Sequence, residues 1–262
     1  MKKSSLFALT TFFFFGCQKT VKLNLNSAPP QLVIEGQVTN TPGPYTVTIS
    51  RSVNFYADNS FPGVSGASVS ISDGQGVTDS LTETSTGNYT THMLVGKPGN
   101  TYTLSVRLND TTYAASSTMP QPVQLDSVNF DNSIGGGNSI RAQVHFQDPP
   151  GVKNYYQFIL FINGSQFTKD YFVFDDRLSD GRYISQNLRM DSSYLSKGQQ
   201  LLVDMQCIDV NVYNYFNQLA QAIGNGSFNT AAAPANPSSN ISNGAFGVFS
   251  AHTVSSQSAI AN

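Results

Sequence analysis

Pro44-Tyr45-Thr46-Val47-Thr48-Ile49-Ser50 alternates polar and apolar side chains residue by residue. A period of two places Tyr45, Val47 and Ile49 on one face of an extended strand and the threonines on the other. The pattern returns at Ala67-Ser68-Val69-Ser70-Ile71-Ser72, after which Asp73-Gly74 and Gln75-Gly76 supply a turn. Further strands are expected at Leu32–Thr39, from Gly87-Asn88-Tyr89 onward, from Gly99 to Val106, and over residues 112–118. About seven short strands, separated by turn residues, predict an immunoglobulin-like β-sandwich over residues 31–119.

Met119-Pro120-Gln121-Pro122-Val123 marks the boundary, because two prolines so close together stiffen a link. Residues 124–262 predict a second β-rich domain. Its strands are expected over residues 125–130 and 140–146, around a loop holding Gly135-Gly136-Gly137. Residues 155–162 and 167–174 read as a hairpin turning at Asn163-Gly164. Two more strands are expected over residues 182–190 and 200–209. In the latter, Leu201, Val203, Met205 and Cys207 share a face, so Cys207 reads as a buried hydrophobe.

Val212, Tyr215, Phe216, Leu219, Ala222 and Ile223 recur at helical spacing. They predict a helix near residues 211–224, capped by Asp209 or Asn211 and stopped by Gly224. Its polar face carries no Lys or Arg, so it reads as a helix packed on its own sheet, not as a membrane contact. Ile241 and residues 245–254 are expected to close the second domain with a final strand. The predicted fold class is mainly β: an N-terminal immunoglobulin-like sandwich followed by a β-rich domain with one α-helix.

The N-terminus reads as targeting, not fold. Lys2 and Lys3 precede an apolar run over residues 6–15, too short for the roughly 20 residues that span a bilayer. The run ends in Gly16-Cys17, which resembles the lipobox of bacterial lipoproteins, with Phe14 standing where leucine is usual. Residues 1–16 are therefore expected to be a lipoprotein signal peptide and Cys17 the lipidated residue. Residues 17–30, with Pro29-Pro30, are expected to form a tether.

Charged residues are 11% of the chain, against roughly 25% in typical soluble domains. The formal net charge is −2, and Glu35 and Glu83 are the only glutamates. No basic face exists to hold nucleic acid.

Candidate chemistry is sparse. His92, His145 and His252 are far apart, and neither zinc-ligand spacing nor Gly-x-Ser-x-Gly occurs, so no cofactor and no enzymatic activity are expected. A hydrolase remains a third reading, since a Ser-His-Asp triad has no fixed sequence order. Asp175, Asp176 and Asp180 form the densest acidic cluster and are calcium candidates, with pairing to Arg177 and Arg182 as the alternative. Aromatic residues crowd the 155–174 hairpin. Alternation sends them to both faces, which fits two-sided packing, while Tyr155, Tyr156 and Tyr171 are candidates for contact with a ligand. Ser80, Thr111 and Ser127 each follow an aspartate, in a pattern that resembles a bacterial O-glycosylation acceptor.

Several phrases resemble, by their order, a Bacteroidota lipoprotein family known as domain of unknown function 4249. They are Leu32-Val33-Ile34-Glu35-Gly36, Gly66-Ala67-Ser68-Val69, Gly87-Asn88-Tyr89, Gly99-Asn100-Thr101-Tyr102, Asp148-Pro149, Tyr155-Tyr156, Asp175-Asp176, Asn240-Ile241 and Gly244-Ala245-Phe246-Gly247. The resemblance implies an outer-membrane lipoprotein, often encoded near TonB-dependent receptors, and it supplies no catalytic residues. The function expected is a non-enzymatic accessory or binding component at an outer-membrane transporter, held in the membrane by the Cys17 lipid. The alternative is a surface adhesin or glycan-binding module. Gln18-Lys19 resembles the start of a surface-export signal, but Thr20-Val21-Lys22 replace its acidic residues. The membrane face stays open, leaning toward the cell surface.

Overall fold

A computed structural model describes residues 29–54, 60–131, 141–188, 190, 194–223 and 236–261. The signal segment, Cys17, Gly135 to Gly137 and Gly224 lie outside these residues.

The chain is mainly β, as the alternation predicts. Its first half contributes β1 (Leu32–Thr39), β2 (Thr46–Arg51), β3 (Ser68–Ser72), β4 (Thr78–Ser80), β5 (Thr82–Ser85), β6 (Asn88–Thr90), β7 (Thr101–Leu108) and β8 (Thr111–Thr118). The second half adds β9 (Leu125–Asp131), β10 (Arg141–Gln147), β11 (Tyr155–Ile162), β12 (Ser165–Gln166), β13 (Phe172–Asp175), β14 (Tyr183–Leu188) and β15 (Gln200–Ile208). Helix α1 (Val210–Ala222) and the long strand β16 (Phe246–Ile260) complete it.

These strands make three sheets. The largest runs β12-β11-β15-β16-β1-β2-β6-β5, with β13 also on β11. A four-stranded sheet, β4-β3-β7-β8, and a three-stranded sheet, β14-β10-β9, cover its inner face. Ile34, Val47, Ile49 and Phe249 of the large sheet meet Ile71, Leu104 and Val106 of the four-stranded sheet in one core. Tyr156, Phe158, Leu201 and Met205 meet Val144, Phe146 and Ile184 in a second core. Each side chain of this size contributes about 1.5–3 kcal/mol when removed from water.

The sequence predicts a final strand closing the second domain, and β16 does run antiparallel to β15 over Thr253–Ile260. Its first half does more, lying parallel to β1 from Phe246 to His252. One strand thus binds the first and last parts of the chain into a single sheet. Gly247 permits the approach. Its φ is +98°, and a Cβ there would stand 2.0 Å from the Ile34 carbonyl oxygen.

The 155–174 hairpin turns at Asn163 and Gly164, both at positive φ. Its return arm is not continuous: β12 pairs with the end of β11 and β13 with its start. The polar stretch Thr168-Lys169-Asp170 leaves the sheet between them.

Candidate functional site

The outer face of the large sheet is polar where the inner face is apolar. Glu35, Gln37 and Thr39 of β1 project from it beside Ser250, His252 and Ser256 of β16. Asp204 and Gln206 of β15 and Gln157 of β11 continue the row. Together they floor a groove of about 790 Å³, within the size range of small-ligand sites.

Helix α1 forms one wall. Asp209, one of the two caps the sequence offers, accepts hydrogen bonds from the Asn211 and Val212 amides at 2.8 and 3.1 Å. Its second oxygen accepts from the Ser117 hydroxyl, which ties the helix start to β8. Val212 packs on Ile208 and Val248, so the helix lies on its own sheet. Phe216 then overhangs the groove, 5.7 Å from the ring of Tyr171. The opposite wall is the turn from Thr41 to Tyr45. The Tyr45 hydroxyl fixes that turn by donating to the Thr39 and Thr41 carbonyls at 2.8 and 2.7 Å.

Burial deepens from rim to floor. Glu35, Gln37 and Ser256 are exposed, whereas Gln157 and His252 are only 3% and 2% exposed. His252 shares a 2.9 Å hydrogen bond between its Nδ1 and the Ser250 hydroxyl. Its Nε2 is buried with no protein partner. Burial pushes the imidazole down to about 4, so it is neutral at pH 7. An unpaired buried polar atom costs about 1–3 kcal/mol. Glu35 lies close enough to the aromatic wall that, after burial, its charge is a further cause raising the Tyr171 and Tyr215 phenols. Among the described residues, no Lys or Arg lines the groove.

The candidate aromatics separate cleanly. Tyr171 lines the groove. Tyr155 is half-buried against Tyr213 of the helix, with ring centres 5.0 Å apart. Tyr156 is enclosed in the core with its hydroxyl on Asp148, so it is not a surface contact. Packing on both faces, not a broad aromatic surface, accounts for most of the hairpin's rings.

The calcium candidates also part company. Asp176 and Asp180 meet Asp148, with one carboxylate oxygen from each within 4.8 Å of the others. Asp175 turns away, accepting from Arg177 Nε at 2.7 Å and from the Tyr213 hydroxyl at 2.6 Å. Burial raises the Asp175 carboxyl, but those two bonds outweigh it and hold it below its usual range. In the cluster, burial and then the charges of Asp148 and Asp180 hold Asp176 above its usual range. Asp148 accepts from the Gly181 amide, Asp176 from the Asn154 amide and Asp180 from the Gly151 amide. Those bonds fasten the 148–154 turn to the 176–181 turn. In the sequence Asp148 stood out only beside Pro149.

Among the glycosylation candidates, Ser80 and Thr111 are exposed and Ser127 is half-buried on β9. Cys207 is a buried free thiol whose pKa is raised by that burial. Cys17 lies outside the described residues. Helix α1 is the only described helix, and it is not long and apolar enough to cross a membrane.

The histidines sit apart. His92 contacts Asp79 at 3.3 Å and Thr82 at 3.0 Å. His145 shares a 2.9 Å bond with Ser185 on the three-stranded sheet. Among the described residues there are two Ser–His pairs, Ser185–His145 and Ser250–His252. In each, the second ring nitrogen lacks a partner, so no acid orients the ring as a triad requires.

Sequence reasoning missed Gln37, Gln157, Asp204, Gln206 and His252 as a group. Their signal was present as polar positions inside apolar strands, but such positions ordinarily face solvent.

The sequence profile of the family described as Domain of unknown function (DUF4249) matches residues 18–258, and the chain belongs to that family. No curated protein matches it.

Proposed function

Starting from that membership, we propose that the protein is a non-enzymatic, lipid-anchored component of the outer membrane that binds a ligand beside a TonB-dependent transporter. The observation that carries the binding role is the groove of about 790 Å³, whose floor carries polar side chains from four strands distant in sequence. The non-enzymatic part is supported by the Ser–His pairs, which have no orienting acid, and by His92, whose Asp79 and Thr82 contacts lie on an exposed side chain outside the groove. Anchoring is supported by Gly16-Cys17 behind the apolar run. The transporter is supported by the resemblance to lipoproteins encoded near such receptors.

Affinity capture of the full tagged chain from cross-linked native membranes tests the proposal. One TonB-dependent transporter is expected in every preparation, and repeated recovery of the protein alone would count against it. Replacing Cys17 by Ala is expected to move the protein from the membrane fraction to the soluble fraction. Retention of Cys17→Ala in the membrane removes the anchor from the proposal.

A further inference from the structure

We infer that the groove takes a neutral oligosaccharide, held by hydrogen bonds to its hydroxyls on the floor and stacked against the Tyr171–Phe216 wall. The inference rests on the groove being the binding surface.

Three independent features point to that chemistry. The first is charge. Glu35 and Asp204 line the groove, and among the described residues no Lys or Arg lines it to offset them. An anionic ligand, including a glycan of uronic acids, meets repulsion there.

The second is the hydrogen-bond inventory. Gln37, Gln157, Gln166 and Gln206 each present an amide that both donates and accepts. A sugar hydroxyl also does both, so a row of amides suits a chain of vicinal hydroxyls. An organic ammonium cation offers donors alone and would leave the amide N–H groups unanswered. His252 lies at the bottom of this row, and its buried Nε2 lacks a protein partner. Buried polar atoms of folded proteins are nearly always partnered. The ring lines the groove, while Nε2 itself is covered.

The third is the wall. Tyr171 and Phe216 stand 5.7 Å apart at the groove edge, with Phe161 also lining it. A pyranose carries an apolar C–H face and a polar rim. An aromatic wall beside a floor of amides and carboxylates matches both at once.

The test uses the full chain, purified with its anchor in detergent. It is applied to a printed array of neutral hexose and pentose oligomers together with their uronic-acid counterparts. Spermidine is titrated separately by calorimetry. Neutral oligomers are expected to bind, with their uronic-acid counterparts at least about tenfold weaker. Tyr171→Ala is expected to weaken binding about tenfold with an unchanged melting temperature, and His252→Gln to weaken it several-fold. Because His252 is buried and its replacement can disturb folding, Tyr171→Ala is the deciding variant. A blank array, or equal binding of the acidic oligomers, overturns the ligand class. Spermidine binding that Tyr171→Ala removes would overturn the ligand class while keeping the groove as the binding surface. Neutral-glycan binding that is undiminished in Tyr171→Ala overturns the groove itself.

Discussion

The two faces of the large sheet are made by the same strands and follow opposite rules. On the inner face Ile34, Val47, Phe249 and Ala251 interlock with the four-stranded sheet and are fully buried. One residue along the same strands, Glu35, Thr48, Val248 and His252 face the groove. Inner positions are held by packing, so any change in volume is felt. Groove positions are held by the backbone ladder, and their side chains line the groove. Stability and recognition are thereby separated by a single step along each strand.

Three substitutions sharpen that contrast. Phe249→Ala, on the inner face, is expected to destabilise the protein by about 3–5 kcal/mol, since it removes a ring from a core that cannot collapse around the gap. Urea unfolding reads this directly, and a loss near zero would mean the two faces are not energetically distinct.

His252 is the intermediate case, a groove residue buried like a core residue. Its folded pKa of about 4 lies below the ordinary 6.5. As pH falls from 6.5 to about 4, the unfolded chain takes up a proton that the folded chain refuses. Stability is therefore full above 6.5 and falls by on the order of 3 kcal/mol across that window. Melting curves between pH 7 and 4 should show the loss in the natural protein and a shallower slope in His252→Gln. Equal slopes would show that the imidazole is not sealed.

Gln206→Ala should have the smallest effect. It lies on the groove face of β15, half-buried, so unfolding should shift by no more than about 0.5 kcal/mol. A larger change would mean that the groove amides hold up the fold.

Much of this was legible before any coordinates. Helix α1 begins and ends within two residues of its predicted bounds, because periodicity and an Asp cap are local signals. Strand β1 has the same bounds in sequence and structure. The burial of Cys207 followed from alternation alone. The site was legible only in pieces. Glu35, Gln157, Asp204 and His252 each stood out as a polar residue in an apolar strand, and nothing local distinguished a groove from open solvent. Asp148 stood out only beside Pro149, although its carboxylate fastens two loops. The break between β12 and β13 was equally silent, since Phe167 and Phe172 continue the apolar character on both sides of it.

The sequence by itself determined the strands, the face each side chain takes and the one helix, because periods of two and 3.6 are properties of neighbouring residues. Only the tertiary structure decided that β16 lies between β1 and β15, and so which polar faces join into one groove. That choice depends on hydrogen bonds and packing between residues some two hundred positions apart, of which Gly247 against Ile34 is the tightest point.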